Sequence, residues 1–220
     1  MTTAPETTSV DRAEITRPEE LRALLGEVMP RAAVKERARL HTRDREWIAH
    51  SPFVVISTSD AEGNCDASPK GDPPGFVHVI DDARIAIPER PGNRRADGYF
   101  NVLSNPHVGL LFLIPGRPET LRINGRARLV RDAGYFDEMI VKGHRPILAL
   151  EVSIDTIFFH CAKAFMRSRL WQPATWNPDA LPSNACLVKD VSPAITETLE
   201  ELEAYYSPEN YEQALYRRQP

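Results

Sequence analysis

Three arginines fall within six residues in the stretch Pro88-Glu89-Arg90-Pro91-Gly92-Asn93-Arg94-Arg95. Guanidinium groups beside a glycine, which lets backbone N–H groups approach closely, suit a doubly charged phosphate. The same stretch also suits a solvated surface loop, so its company decides. Ser68-Pro69-Lys70-Gly71, Thr120-Leu121-Arg122-Ile123-Asn124-Gly125 and His160-Cys161-Ala162-Lys163 sit in or beside strand-like runs, where they could converge on one ligand. Lys163 and Arg167 form a like-charged i, i+4 pair, which costs a little unless an anion lies between them. With Arg169 they are either anion contacts or solvated surface. Arg122 has two readings as well, as a ligand contact or as an outward arginine covering a sheet.

The familiar catalytic constellations are absent. There is no Gly-x-Ser-x-Gly elbow, and His41, His50, His78, His107, His144 and His160 lack the close spacing of a zinc site. No metal is expected, and no side chain stands out as acid, base or nucleophile. A cofactor bound by the cations and amides would supply the reactivity instead. Cys65, Cys161 and Cys186 are odd in number and far apart, which fits reduced thiols better than a disulfide framework. A formal charge of −4 argues against nonspecific nucleic-acid binding. No run approaches the roughly 18 apolar residues of a membrane span, and the first residues do not read as a signal peptide. A soluble, cytoplasmic protein is expected.

These residues need elements to hold them. With 220 residues and 42% hydrophobic content, the chain can bury one full core with appendages. Residues 1–15 are polar and read as a flexible arm, and 16–50 as two helices. The first of these opens on a Thr16/Glu19 capping box and ends at Pro30; the second runs from Arg31 to Ile48. From Phe53 the period changes to that of strands. Strands are expected at Phe53–Thr58, Cys65–Ser68, Phe76–Ile80, Arg84–Ile87, Val108–Ile114, Thr120–Val130 and Ile147–Phe159. Asp81-Asp82 makes a tight turn between the third and fourth. Short helices are expected near Asp97–Leu103 and Asp132–Lys142. A surface loop follows at Trp171–Pro182, and a last helix passes through Leu199, Leu202 and Tyr206. The pattern points to a mainly β, Greek-key type barrel with peripheral helices rather than βαβ units.

At the level of motifs the run from Ser51 to Arg131 resembles the FMN-binding split barrels related to pyridoxamine 5′-phosphate oxidase. It looks most like a bacterial subgroup with Ser-Pro-Arg/Lys-Gly-Asp, Pro-Gly-Asn-Arg and Leu-Arg-Val-Asn-Gly patterns. Here these read Ser68-Pro69-Lys70-Gly71-Asp72, Pro91-Gly92-Asn93-Arg94 and Leu121-Arg122-Ile123-Asn124-Gly125. His160-Cys161-Ala162-Lys163-Ala164 and Arg167-Ser168-Arg169-Leu170-Trp171 extend the likeness to roughly residues 20–175.

The resemblance implies a homodimeric split β-barrel over 51–175, with 176–220 packing on it and FMN between the subunits. It implies Lys70, in the motif that Ser68 opens, on the first flavin-contacting strand and Asn93, Arg94 and Arg95 on the phosphate; the charge of the loop adds Arg90 to that clamp. Thr120 would contact the ring from the other chain, with Arg122 near it, while Arg169 and Trp171 would close over the flavin. Cys65 stands where the oxidases have an arginine, a departure that counts against pyridoxamine-phosphate oxidation itself but not against FMN binding. The implied activity is hydride transfer between a small-molecule substrate and FMN. The alternatives are a noncatalytic flavin- or haem-binding module for stress or storage, and a deazaflavin-dependent reductase.

Overall fold

Seven antiparallel strands carry the fold, in the order β2-β1-β5-β6-β7-β4-β3. They are β1 (Phe53–Ser59), β2 (Cys65–Gly71), β3 (His78–Val79), β4 (Arg84–Pro88), β5 (His107–Leu113), β6 (Thr120–Val130) and β7 (Ala149–His160). The computed structural model describes residues 14–217, so most of the arm expected over 1–15 lies outside the described residues. The chain divides into two compact units, Met1–Lys35 and Glu36–Pro220.

In the first unit, α1 (Pro18–Leu25) and α2 (Pro30–Ala33) bury no residue. The expected Thr16 capping box does not form. Arg17 is the N-cap, without a side-chain bond, and the Thr16 N–H reaches the Glu20 carboxylate at 3.2 Å. Gly26, at φ +75°, ends α1 well before Pro30, which opens α2 instead.

In the second unit, the helix expected over Arg31–Ile48 is interrupted. Arg37 exchanges two backbone hydrogen bonds with Ile157, and the Leu40 N–H bonds to Asp82. Tertiary pairing thus overrides a helical periodicity. The helix restarts as α3 (Thr42–His50), where His41 and Asp44 form a capping box. Asp44 is fully buried beneath Arg37, whose Nη2 donates to it at 2.9 Å.

Alternation along the strands builds the core. Val54 and Ile56 on β1, Leu110 and Phe112 on β5, Leu121 and Ile123 on β6, and Ile157 on β7 all point to one side. Each such side chain contributes about 1.5–3 kcal/mol by leaving water. β6 has the bounds its period predicted, and it pairs with β7 over its whole length apart from one irregularity at Asn124/Gly125. A Cβ on Gly125 would stand 2.2 Å from the Ser153 carbonyl oxygen, so only glycine fits there. The Asp81-Asp82 turn joins β3 and β4 as expected, although β3 shrinks to two residues and leaves Phe76 and Val77 buried outside it.

The barrel is the expectation that fails. Among the described residues no ladder joins the outer edge of β2 to β3 or β4, so the sheet stays open, and helical residues outnumber strand residues. The architecture is a mixed α/β fold around one antiparallel sheet. Proline explains the open seam in part, because Pro69 on β2 and Pro88 and Pro91 on the facing chain cannot donate to a ladder. β2 buries none of its residues, as an edge strand does. The sheet nevertheless curls until its two sides face, since the Lys70 ammonium on β2 lies 2.6 Å from the Glu89 carboxylate just after β4.

The excess of helix comes from α4 (Asp97–Ser104), α5 (Lys163–Ser168), α6 (Asn184–Val191), α7 (Leu199–Tyr205) and α8 (Pro208–Ala214). Of these, α6 and α8 have no counterpart in the sequence reading. The helix expected near Asp132–Lys142 is a 3₁₀ turn at Gly134–Met139, which lays Phe136 and Met139 on a second small cluster with Ala86 and Ala149.

Candidate functional site

The open seam forms a cleft of about 580 Å³ between β2 and the chain from Pro88 to Tyr99. That volume lies within the range of small-molecule sites. Ser68 and Lys70 line one wall, and Arg90, Asn93, Arg94 and Arg95 line the other, so the structure brings these six sequence candidates together. Strand β2 presents its residues there because its outer edge has no partner. The opposite wall is a loop because two prolines end β4.

The loop has an unusual backbone. Arg94 (φ +64°) and Ala96 (φ +59°) are both left-handed, which costs a non-glycine residue about 1–2 kcal/mol and persists only where the surroundings hold it. Ala96 is the N-cap of α4 and offers no side-chain cap. The Tyr99 and Phe100 N–H groups bond to the Ala96 carbonyl, and Asp97 and Gly98 at the start of α4 line the cleft beside the arginines, a combination that favours an anion. The Arg95 N–H is held by the Asn93 side chain at 3.1 Å, and its guanidinium pairs with Asp97 at 2.7 Å. Gly98 gives α4 its close approach, since a Cβ there would meet Asp66 Oδ2 at 3.0 Å and Thr58 Oγ1 at 3.3 Å.

Acidic groups answer the cations, and these the sequence reading passed over. Arg90 donates to Asp72 at 2.6 Å and to the carbonyls of Met139 and His144 at 2.7 and 3.1 Å. The Asp72 side chain is 2% exposed and that of Arg90 12%, so this is a buried pair that anchors the loop. Tyr216, beyond α8, donates to the other Asp72 oxygen at 2.5 Å and stacks on His144. Burial first, then the hydrogen bond to Asp72, pushes the Tyr216 phenol up to about 12. Deeper in the cleft, Glu89 Oε2 accepts from both Lys70 and the Tyr99 hydroxyl. The Lys70 ammonium also lies 5.0 Å from the centre of the Tyr99 ring. Burial and the Glu89 charge raise the Tyr99 phenol far above its ordinary value, so it stays a donor. Glu89 sits inside the motif that drew attention to the arginines, and the turn of the chain after β4 decides that it faces Lys70.

The remaining candidates lie elsewhere. Thr120, Arg122, Lys163, Arg167, Arg169 and Trp171 do not line this cleft. Thr120 is buried and pairs with His160, at the opposite end of β7 from Ala149, where Pro88 pairs. Arg122 lies over the Phe158 ring at 5.2 Å. Lys163 and Arg167 are exposed on α5, and Arg169 follows it in a left-handed conformation. Trp171 stacks on Phe165 and donates from Nε1 to the Arg117 carbonyl at 2.8 Å. Cys65 and Cys161 are exposed. Among the described residues no cluster of His, Cys, Asp and Glu suits a metal ion, and no helix is long and apolar enough to cross a membrane.

Residues 40–161, more than half of the chain, match the family profile of pyridoxamine 5′-phosphate oxidase. The chain belongs to the pyridoxamine 5′-phosphate oxidase family. The matched span of this oxidase family includes β1 to β7 and the whole cleft. Among solved structures, HupZ from Group A Streptococcus is 17% identical, with 55% of this chain and 93% of that one covered at a TM-score of 0.44. A Lactobacillus delbrueckii protein is 21% identical over 57% and 99% of the two chains, also at 0.44. General Stress Protein 26 from Bacillus anthracis is 15% identical over 55% and 94%, at 0.37. No curated protein matches.

Proposed function

We propose that this member of the oxidase family binds FMN in the cleft and acts as an FMN-dependent oxidoreductase on a small molecule. One observation carries the reading: the uncapped start of α4, the left-handed backbone at Arg94 and Ala96, and the side chains of Asn93, Arg94 and Arg95 meet at one wall of a cleft of suitable size. A phosphate of about −2 charge placed there gains charge-assisted bonds of about 1.5–3 kcal/mol each. When bound, FMN supplies the hydride-transferring ring.

This chain's residues bind and orient the ligand. Asn93, Arg94 and Arg95 take the phosphate, Arg90 braces their loop from beneath, and Ser68 and Lys70 face the ring from β2. The second set, Thr120, Arg122, Lys163, Arg167, Arg169 and Trp171, completes the site from a partner subunit in a homodimer. Supporting this, the outward side of β1 and β5 carries half-buried Val55, Leu111 and Leu113, an apolar face of the kind that pairs across a two-fold axis. The motifs around Ser68, Pro91 and Leu121 favour the bacterial subgroup over the pyridoxamine-phosphate oxidases proper.

The test is the absorption spectrum of the purified protein, with chromatography of the chromophore released on denaturation. FMN is expected. Haem, a deazaflavin or FAD in its place overturns the cofactor assignment. In apo protein, Arg94→Ala with Arg95→Ala should weaken FMN binding by about 3 kcal/mol, roughly a hundredfold, with circular dichroism unchanged. Unchanged affinity would reduce the loop to a charged surface.

A further inference from the structure

Lys70 on one wall of the cleft and Glu89 on the other meet across its floor as a donor and an acceptor at 2.6 Å. Both described hydrogen bonds to Glu89 fall on Oε2, which leaves the accepting capacity of Oε1. The ammonium of Lys70 has three N–H groups, of which Glu89 engages one. The side chains are 19% and 20% exposed, half sunk in the wall but still reachable from the cleft. Tyr99 fixes the carboxylate through its hydroxyl, and its ring centre lies 5.0 Å from the Lys70 ammonium. The pair is therefore held rigidly, with the positive charge of Lys70 largely cancelled by its neighbour.

We infer that Lys70 and Glu89 together read a cyclic imide edge, Lys70 donating to a ring carbonyl and Glu89 accepting from the adjacent ring N–H. The inference rests on the FMN reading and deepens it, because the pyrimidine ring of a flavin presents such a carbonyl, N–H, carbonyl edge. A lone lysine accepts any anion or carbonyl. A lysine bound to a carboxylate repels a second carboxylate and rewards a ligand that carries donor and acceptor side by side. The cleft thus selects a phosphate at the Asn93–Arg95 loop together with a neutral imide at the Lys70–Glu89 pair. Tyr99 is a positioning residue, acting on the ligand through Glu89.

Binding of FMN and of 3-methyl-FMN, in which the imide N–H is replaced, separates the two ideas. Apo wild-type protein should bind FMN at least tenfold more tightly than 3-methyl-FMN, as expected for a charge-assisted hydrogen bond. Glu89→Met should lose about tenfold for FMN and little for 3-methyl-FMN, so the ratio falls toward one. Glu89→Gln keeps the shape of the side chain and, as a second variant, should give a reduced ratio. Tyr99→Phe should also reduce the ratio, because it frees the Glu89 carboxylate that the Tyr99 hydroxyl holds. Equal binding of the two flavins by the wild type, or the same ratio in wild type and the Glu89 variants, overturns the inference while leaving FMN binding intact. Failure of the wild type to bind either flavin defeats the cofactor assignment itself.

Discussion

Arg90 illustrates how one side chain acquires a different role from the one its charge suggests. Read along the chain it belongs with Arg94 and Arg95 as a phosphate contact. In the fold its guanidinium is engaged by Asp72 and two carbonyls, beneath the loop. Removing one partner of a buried ion pair leaves an uncompensated charge and costs about 3–5 kcal/mol, whereas removing both is far milder. Arg90→Ala is accordingly expected to lower stability to urea by about that amount, and Arg90→Met with Asp72→Asn to recover much of it. A single variant with wild-type stability, assayed by urea denaturation, would place Arg90 outside the scaffold.

Two elements carry the next scale. The long β6–β7 pair depends on Gly125, where any side chain would collide with backbone rather than with a movable neighbour. Gly125→Ala should destabilise by about 3 kcal/mol, measured as a lower urea midpoint, through forced displacement of β7. The end of the chain beyond α8 is fastened by Tyr216 to Asp72. Its phenol is raised from 10.0 to about 12, so the folded state retains a proton that the unfolded state has lost in that interval. The corresponding stability is present in full below about pH 10 and declines as pH rises through about 12. Tyr135, raised to about 12 by burial and then by its hydrogen bond to Glu151, acts in the same direction. Beside Tyr99, which ionises later still, tyrosinate absorbance at 295 nm should show the late-ionising phenols of Tyr135 and Tyr216, and Tyr216→Phe should remove one and flatten the alkaline loss of stability. Ionisation of both near 10 contradicts this account of the tail.

For the whole molecule, the separation of the candidates into two sets makes a demand. The proposed shared site draws Thr120 and Trp171 from a second copy, because within one chain they do not line the cleft that holds Lys70. A charge placed on the outward face of β5 appears twice across a two-fold axis. Leu111→Glu should therefore yield a folded monomer that has lost tight FMN binding, read by light scattering together with flavin absorbance. A monomer that keeps stoichiometric FMN at wild-type affinity rules out the shared site.

What the residues determined by themselves was local. Alternation of apolar and polar residues placed β6 at Thr120–Val130, the acidic turn joined β3 to β4, and composition marked the Asn93–Arg95 loop as basic. Such signals depend on neighbours within a few positions. Tertiary structure decided what depends on distant partners. The backbone of Ile157 interrupts the helix expected over Arg31–Ile48, and the proline-lined seam between β2 and β4 stays open where a barrel was expected. It also decided that Glu89, 19 positions along the chain from Lys70, shares its charge. A carboxylate in sequence carries no record of which cation it will meet, because that is set by the curl of a seven-stranded sheet, and the curl is a property of all its ladders at once.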